Sequence, residues 1–396
     1  MRTIAAQYIY PLNSQSPIRR GKITLNDEGV IVDIGEMNEE SESTEFYNGI
    51  LVPGFVNSHC HIELSHLKGK FSRGSGMAGF IRQINLLRES TAKEERLKAI
   101  ETEMKQLYRS GVSAMGDISN CDESFGIKAK SPIYTRSFLE VFGTEKNDVP
   151  DIIVSVKRLS ESAAQYGLDA APTPHSCYTM SPELIKEVSR EALKSRLLSY
   201  HNQESWEEEE LIKSGNGPLA DEYKGRRLST PPITGKSALL YFISIIKELA
   251  IKEHNQNILL VHNTFTNEES VDAALNMADN MFWAICPLSN LFIHNALPPI
   301  DMLRRKGATI TIGTDSLSSN DKLSIVAEIE CLHRYFPNIP LGEILEWASF
   351  NGAKFLRKEN ELGSFEIGKK PGVVLIDNID WNNMGVTDKS ISHRLI

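Results

Sequence analysis

The chain has 396 residues, of which 41% are hydrophobic and 24% charged, and its formal net charge is −9. This composition is that of an ordinary globular protein, so it excludes a disordered, fibrous or largely membrane-embedded chain. The acidic balance without a basic cluster argues against nucleic acid as a partner, and we expect a small-molecule ligand instead. The five cysteines are scattered without a Cys-x-x-Cys pair, which argues against a disulfide framework and a thiolate zinc site.

The first residues, Met1-Arg-Thr-Ile-Ala-Ala-Gln7, lack the charged and then apolar layout of a secretory signal. No stretch of the sequence is long and apolar enough to predict a membrane span. We therefore expect a cytoplasmic protein without a membrane partner. The sequence is compatible with self-association into a homo-oligomer.

Short strands separated by turn residues are predicted at both ends of the chain. They lie at Thr3 to Tyr10, Gly21 to Leu25, Gly29 to Gly35 and, as a pair, within Gly363 to Asp377. Neither end closes a core alone. We therefore expect one small β-sandwich domain built from residues 1–54 and 364–396.

Between these ends, apolar strand-like runs alternate with amphipathic helical stretches. The runs are Ile50 to Val56, Val112 to Ile118, Thr135 to Val141, Leu168 to Pro172, Leu197 to His201, Ile258 to Val261, Phe282 to Cys286 and Ala308 to Ile312. Eight strands that alternate with helices are typical of a (β/α)8 barrel. The predicted fold class is therefore α/β, with a barrel over residues 55–363 and the β-sandwich domain appended to it.

The strongest chemical signal is the pair His59 and His61, which follows the first of these runs. Side chains alternate along a strand, so both imidazoles point to the same side while Cys60 points away. Two imidazoles at the carboxyl end of a barrel strand can bind one metal ion. Two histidines brought close by chance are the alternative for this pair taken alone.

Polar residues also follow three other runs. His201 and His262 each end a run, Glu204 follows His201 by three residues, and Asp315 follows the run that ends at Ile312. Barrel enzymes place their catalytic groups at this end of the strands. A lone histidine after a strand is more often structural, but four coincident strand ends favour a functional site.

Six segments stand out in chain order. They are Val52-Pro-Gly-Phe-Val-Asn-Ser-His-Cys-His61, Pro174-His-Ser-Cys-Tyr-Thr-Met-Ser-Pro-Glu183, His201-Asn-Gln-Glu204, Cys286-Pro-Leu-Ser-Asn290, Gly313-Thr-Asp-Ser316 and Gly363-Ser-Phe-Glu-Ile-Gly-Lys369. Together they resemble the amidohydrolase superfamily, in its branch of chlorohydrolases, cytosine deaminases and S-adenosylhomocysteine deaminases. The resemblance covers nearly the whole chain.

The resemblance implies that His59, His61, His201 and Asp315 bind one divalent metal ion. Zn²⁺ is the first choice for such ligands and Fe²⁺ the alternative. Binuclear relatives usually add a carboxylated lysine from the fourth strand, whereas here that strand leads into Thr173-Pro-His-Ser-Cys177 without a lysine. A single metal is therefore expected.

The resemblance also implies a hydrolytic mechanism, because such a metal supplies hydroxide at neutral pH. Asp315 and His262 are expected to orient the water and take its proton. Glu204 is expected to protonate the ring nitrogen beside the attacked carbon. A surface glutamate at a helix start is the alternative reading of Glu204.

Three further residues are predicted to bind substrate. His175 follows the fourth strand, Glu63 lies two residues beyond His61, and Arg136 lies in a region where arginines of the relatives bind carboxylate or ribose groups. A structural role is the alternative for each of them, and for Arg136 that alternative is an ion pair.

The implied function is hydrolytic deamination of an aminated purine or a purine-nucleoside derivative, such as S-adenosylhomocysteine, aminodeoxyfutalosine or adenosine. A base deaminase of the guanine or cytosine type, or a chlorohydrolase or amidohydrolase acting on a heterocycle, is the alternative. A non-enzymatic scaffold is a remote alternative.

The sequence departs from the family pattern in two segments. Leu291 to Leu297 replaces the usual small and glycine residues, and Glu207 to Pro232 is charged and carries two adjacent prolines. Both lie near loops that are expected to shape the pocket. Within the second segment, the acidic run Glu207 to Glu210 is interpreted as a solvated helix face.

Overall fold

The computed structural model describes residues 1–37, 43–249 and 255–396. Its strands are β1 (Arg2–Ile9), β2 (Ile18–Leu25), β3 (Ile31–Glu36), β4 (Thr44–Pro53), β5 (Phe55–Cys60), β6 (Val112–Ser119), β7 (Tyr134–Val141), β8 (Asp169–Pro174), β9 (Leu197–Asn202), β10 (Asn257–His262), β11 (Asn280–Ile285), β12 (Thr309–Ile312), β13 (Val373–Ile376) and β14 (Ser392–Arg394).

The α-helices follow most of the strands. They are α1 (Gly76–Leu87), α2 (Lys93–Arg109), α3 (Phe125–Lys128), α4 (Val149–Gln165), α5 (Pro182–Lys194), α6 (Trp206–Ser214), α7 (Pro218–Arg226), α8 (Ala238–Ile246), α9 (Glu268–Met277), α10 (Pro287–His294), α11 (Ile300–Arg305), α12 (Ile325–Tyr335), α13 (Leu341–Ala348) and α14 (Phe350–Phe355). A 3-10 helix spans Ile62–Leu67. None of the described helices combines the length and apolarity that a bilayer crossing requires.

Both ends of the chain contribute to one mixed sheet, as the sequence predicts. Its strand order is β14-β13-β4-β1-β2-β3, in which β1 and β4 are parallel and the other neighbours antiparallel. Alternate residues such as Ile4, Ile23 and Leu51 form its buried face together with Phe365. Within the described residues these strands form a single hydrogen-bonded sheet, not the two sheets of the expected sandwich.

Two strand predictions are wrong. The run Ile50 to Val56 is divided between β4 in the terminal sheet and β5, because the chain leaves the first sheet at Pro53 and Gly54. The predicted strand pair within Gly363 to Asp377 contains only β13, whose partners are β4 and β14. The residues before β13 turn instead, with positive φ at Gly363, Gly368 and Gly372.

The remaining strands form two parallel sheets, β5-β6-β7-β8 and β12-β11-β10-β9. Their edges meet at two places: the His201 amide donates to the His175 carbonyl at 2.9 Å, and Cys60 forms a parallel bridge with Asp315. Seven of the eight predicted runs match β6 to β12 within two residues at each end. The carboxyl ends of these eight strands therefore lie on the same side.

The parallel strands are buried along almost their whole length, and every residue of β5, β9 and β10 is buried. This is the pattern of a parallel sheet covered on both faces. The helices start soon after the strands because side chains cap them: Ser181, Ser205 and Ser324 accept backbone N–H groups at the starts of α5, α6 and α12. Polar groups at the strand ends are therefore held in rigid surroundings.

Candidate metal centre and active site

The carboxyl ends of β5, β9, β10 and β12 bring the predicted site residues together. His59 lies in β5 and His61 just after it, His201 lies in β9, His262 ends β10, and Asp315 follows β12 by three residues. Each of these side chains is at least nine-tenths buried. Residues far apart in the chain thus form one buried cluster.

The ring nitrogens of the cluster are closely spaced. Nε2 of His61 lies 3.2 Å from Nε2 of His59 and 3.3 Å from Nε2 of His201. Asp315 Oδ1 lies 3.5 Å from His61 Nε2 and 3.8 Å from His59 Nε2. Donors bound tetrahedrally at zinc distances are about 3.3 Å apart. The spacing therefore suits metal binding: donor atoms of His59, His61 and Asp315 converge in one group, and those of His59, His201 and His262 in another.

Close contact between the first and last parallel strands sets the position of Asp315. The amides of Thr314 and Asp315 both donate to the His59 carbonyl, at 3.0 and 3.1 Å. A Cβ at Gly313 would come within 2.8 Å of both His59 Cβ and its carbonyl oxygen. The glycine of the Gly-Thr-Asp motif is therefore needed for this approach.

Several residues around the cluster have a left-handed backbone. The φ angles are +71° at His262, +55° at Asp315 and +45° at Gln203, the residue before Glu204. Non-glycine residues adopt this conformation at a cost and only where their surroundings impose it, which occurs most often at functional sites. The side chains of His262 and Asp315 lie in the cluster, whereas that of Gln203 donates to Glu209.

The cluster favours neutral imidazoles. Burial, followed by the neighbouring imidazoles, holds the pKa of His59 and that of His201 well below the ordinary value. A neutral ring keeps the lone pair that a metal ligand requires.

The second oxygen of Asp315, Oδ2, accepts hydrogen bonds from Ser289 and Ser319 at 2.6 Å each, which leaves Oδ1 for the cluster.

Glu204 is buried beside the cluster. Its Oε1 is 3.6 Å from Nε2 of His262. Burial raises the pKa of Glu204 well above its usual range, and the nearby carboxylates of Asp315 and Glu208 raise it further. The raised pKa favours the protonated form of the side chain, which is the form that can donate a proton.

Glu208 holds the loop that presents Glu204. Its two oxygens accept the backbone N–H groups of Gln203 at 3.2 Å and Glu204 at 2.8 Å, while Ser205 accepts the Glu208 amide at the start of α6. This is a form of the capping box, in which side chain and backbone satisfy each other. The position of Glu204 is thus tied to the first turn of α6.

Most of the acidic run is not a solvated face. Glu207 is 3% exposed and accepts the amides of Met77 and Ala78 at the start of α1, at 2.9 and 2.8 Å. Glu209 accepts the Ala238 amide at the start of α8. Carboxylates are stabilised at helix amino termini by unpaired N–H groups and the helix dipole. The interpretation of the run as a solvated face was wrong for Glu207 and Glu209, because these partners are distant in sequence, whereas Glu210 is exposed as predicted.

One residue of the cluster escaped the sequence analysis. Glu140 is buried near the carboxyl end of β7, and its Oε1 lies 3.3 Å from Nδ1 of His201 and 3.9 Å from Nε2 of His175. The signal was present, because Glu140 is a charged residue near the end of a predicted strand. It obeys the same rule that identified His201 and Asp315.

His175 packs against the cluster, with its ring centroid 4.5 Å from that of His201. Its Nδ1 is within 2.8 Å of the hydroxyl oxygens of both Ser176 and Thr179. This anchors one side of the ring. Substrate contact by His175 stays a prediction.

Glu63 lies in the 3-10 helix after His61, and both of its carboxylate oxygens have partners. One pairs with Arg88 at 2.5 Å and the other accepts the Asn120 amide at 3.0 Å. These contacts tie the loop after β6 to the helix. Both carboxylate oxygens of Glu63 thus already accept hydrogen bonds within the protein. Its contact with substrate stays a prediction.

Arg136 lies away from the cluster. It is near the amino end of β7, where its guanidinium pairs with Asp169 and donates to Ser195. Four residues of extended strand, about 13 Å, separate it from Glu140. The predicted substrate contact of Arg136 is therefore contradicted, and the alternative of a structural ion pair describes it correctly.

Comparison with known proteins gives matches over most of the chain. The model of the Amidohydrolase family matches residues 50–391. The adenosine deaminase of Helicobacter pylori is 26% identical over 93% of this chain and 90% of its own, and the aminodeoxyfutalosine deaminase of a Nitratiruptor species is 27% identical over 83% and 79%. A crystal structure of Helicobacter pylori aminofutalosine deaminase with methylthio-coformycin is 24% identical, covers 95% of this chain and 92% of its own, and has a TM-score of 0.79.

Proposed function

The chain belongs to the amidohydrolase family, and from that premise we propose that it is a metal-dependent deaminase of a 6-aminopurine nucleoside or a derivative of one. The family resemblance found in the sequence is thereby confirmed. The observation that carries the proposal is the position of Glu204, a buried carboxyl with a raised pKa beside a cluster of metal-binding type. A metal bound at the cluster would supply the hydroxide nucleophile, and Glu204 would supply the acid.

We propose that His59, His61, His201 and Asp315 hold a single divalent ion, and that it is zinc. Imidazole and carboxylate donors suit zinc, with Fe²⁺ as the alternative. A bound divalent ion lowers the pKa of a water ligand to about 7 and so supplies hydroxide at neutral pH. The donor spacing described above supports this ligand set.

The two parallel sheets meet at both edges, and our proposal for the fold goes one step further. We propose that they close into a (β/α)8 barrel over residues 55–363, with residues 1–54 and 364–396 forming the second domain. The hydrogen bonds between Thr314 and His59 and between His201 and His175 support closure at both seams. Barrel closure accounts for the site, because it gathers all eight carboxyl ends around one axis.

Each reacting proton has a group in this chain to hold it. Glu204 donates its proton to the ring nitrogen next to the attacked carbon, which accepts the charge of the opening double bond. His262 and Asp315 take the proton of the attacking water. That proton is then passed to the departing amine, and the remaining proton of the added hydroxyl returns to Glu204, so that water and the aminopurine give the oxo-purine and ammonia.

The substrate class rests on the relatives. Those named adenosine deaminase and aminodeoxyfutalosine deaminase act on nucleosides that share a 6-aminopurine, and they align with 93% and 83% of this chain. His175 offers a partly exposed polar group at the site edge, and α6 and α7 pack with α1 in one apolar cluster beside it. We propose that this wall encloses the nucleoside.

A substrate panel tests the proposal. Ammonia release, or the ultraviolet change from adenine to hypoxanthine, is followed with adenosine, S-adenosylhomocysteine, aminodeoxyfutalosine, guanine and cytosine at equal concentration. We expect a nucleoside to be turned over at least tenfold faster than either base. A tenfold preference for guanine or cytosine would reject the nucleoside but keep the metal mechanism, and chloride release from a chlorinated heterocycle would favour a chlorohydrolase.

Metal analysis separates the enzyme from a scaffold. Protein expressed with sufficient metal should contain about one equivalent of a divalent ion. Absence of metal would contradict the proposed enzyme directly.

A further inference from the structure

We propose that Glu328 is a positioning residue for Asp315, the carboxylate that the metal site takes from the segment after β12. The inference rests on the metal site of the proposed function. Glu328 is a fully buried residue of α12, and no earlier argument assigns it a role. Its hydrogen bonds go to the chain neighbours of the two serines that hold Asp315, and this arrangement carries the inference.

The two oxygens of Asp315 face different partners. Oδ1 faces the histidines, at 3.5 Å from Nε2 of His61, whereas Oδ2 accepts hydrogen bonds from the hydroxyls of Ser289 and Ser319 at 2.6 Å each. The backbone of Asp315 is left-handed, with a φ of +55°, a conformation that persists only where the surroundings impose it. The direction of Oδ1 therefore depends on where the two serines lie.

The Glu328 carboxyl group joins the two segments that carry these serines. One of its oxygens accepts the backbone amide of Leu288, the residue before Ser289, at 2.9 Å. The other accepts the side-chain amide of Asn320, the residue after Ser319, also at 2.9 Å. One side chain thus fixes the spacing between the start of α10 and the loop after β12.

Asn320 extends this contact to the backbone beside the ligand. Its side-chain amide also donates to the carbonyl oxygen of Thr314, the residue before Asp315, at 3.0 Å. The Thr314 amide in turn donates to the side chain of Asn57 in β5 at 3.1 Å. Glu328 therefore supports Asp315 through both of its serine donors and through its backbone.

Burial makes the carboxyl group at position 328 costly for the fold. It raises the pKa of Glu328 to about 8, a shift that the two N–H partners reduce and the charge of Asp315 increases. An apolar side chain would pack in α12 without this cost. What Glu328 supplies beyond packing is therefore its pair of hydrogen-bond acceptors.

Zinc affinity tests the inference. Competition between the purified enzyme and a chelator of known affinity is measured at pH 8.5, above the pKa of Glu328. We expect Glu328→Gln to weaken zinc binding about three- to tenfold, the value of one hydrogen bond, because its amide group cannot accept from both donors. Glu328→Leu, which removes both acceptors, should weaken it at least tenfold. Excess zinc should restore most of the activity of both variants.

A matched control separates this effect from a general loss of stability. Glu343, in α13, accepts hydrogen bonds from Arg304 of α11 through both of its oxygens, at 2.7 Å each. Glu343→Gln thus also takes one acceptor from a carboxylate that joins two segments, but neither segment carries a proposed ligand. We expect it to lower the Tm and to keep the wild-type zinc affinity.

A double-mutant cycle shows whether Glu328 acts through the serines. In a Ser289→Ala and Ser319→Ala background, Oδ2 of Asp315 has lost both donors. Glu328→Gln should then weaken zinc binding less than it does in the wild type, since residues that act on one group are not additive. An equal penalty in both backgrounds would overturn the inference.

The remaining outcomes separate this inference from the proposed function. If the wild type binds no divalent metal, both fail. If the wild type binds metal and Glu328→Leu has the same zinc affinity, the inference is wrong and the function stands; Glu328→Gln decides this if the leucine variant does not fold. A lower Tm with unchanged zinc affinity would make Glu328 a purely structural residue and would overturn the inference.

Discussion

The Glu140 carboxylate lies 3.3 Å from Nδ1 of His201, on the side of the ring opposite the nitrogen that faces His61. Glu140 Oε1 has no hydrogen-bond partner with good geometry, but we propose that its charge favours the tautomer with a proton on Nδ1, which leaves Nε2 free for the cluster. Carboxylates placed behind ligating histidines orient the ring and increase its basicity, and their loss typically weakens metal binding 10–100-fold. Glu140 is therefore a positioning residue for His201.

We predict that Glu140→Gln weakens metal affinity by about 10–100-fold and that excess metal restores much of the activity. Competition with a chelator of known affinity measures the first effect, and a metal titration of activity measures the second. Glu187→Gln, at an exposed site on α5, is the control. Unchanged metal affinity in the Glu140 variant would show that the carboxylate does not support His201.

Removal of a ligand should abolish metal binding and activity together. In His59→Ala or Asp315→Asn, one of the four proposed donors is lost from a site with few ligands to spare. Metal content by elemental analysis should fall well below one equivalent, and deaminase activity should fall with it. Full metal content in both variants would mean that the ligand assignment is wrong.

Glu204 should separate chemistry from metal binding. Glu204→Gln keeps the shape of the side chain but cannot deliver a proton to the ring nitrogen. We expect metal content to remain and kcat to fall about 10²–10⁴-fold. The measurement is kcat together with metal content on the same preparation, and near-normal turnover would remove Glu204 from the mechanism.

The Glu208 carboxyl should make stability depend on pH. Burial, and then the charge of Glu209, raises the pKa of Glu208 to about 8, whereas the unfolded chain has the ordinary value near 4.3. Between these values the folded state holds a proton that the unfolded state has released, so unfolding releases a proton. Stability is therefore greatest below the unfolded pKa and is lost as the pH rises through 8.

We predict that the Tm of the wild type falls between pH 6 and pH 9 more than that of Glu208→Gln. Thermal melts at several pH values and one fixed metal concentration measure the difference. Glu187→Gln should keep the wild-type slope. Parallel slopes for the wild type and Glu208→Gln would indicate that Glu208 is ionised in the folded protein.

The buried pair of Lys128 and Asp117 supports the strand that carries the histidines. Both side chains are fully buried; Lys128 contacts Asp117 and donates to Ser119, while Asp117 accepts the Ile62 amide at 2.8 Å, next to His61. We predict that Lys128→Met destabilises the fold by about 3–5 kcal/mol, because it leaves a buried carboxylate without its partner. Denaturant unfolding measures this.

The exposed pair of Lys105 and Glu101 provides the comparison for Lys128. Lys105→Met should leave the unfolding midpoint nearly unchanged, since exposed pairs on a helix surface are screened by water. Equal and small effects of the two substitutions would show that the buried pair is not required for the fold.

The sequence by itself determined the strand and helix alternation and the donors of the cluster. Apolar runs mark strands that are buried on both faces, and alternation along a strand places His59 and His61 on one side. Both properties are local, so they can be read from neighbouring residues. The alternation of apolar and polar residues also predicted the strands near the amino terminus. It did not separate β4 from β5, because no local pattern marks the residue at which the chain passes from one sheet to the next.

Only the tertiary structure decided which polar residues lie close to one another. Arg136 and Glu140 lie on the same strand, yet one pairs with Asp169 at the amino end and the other faces His201 at the carboxyl end. Glu207 is buried because it caps the start of α1, more than a hundred residues away in the chain. Its carboxylate accepts the free N–H groups of Met77 and Ala78. Burial, pairing and pKa depend on groups that are distant in the chain and near in space, and the residue pattern around a position does not contain them.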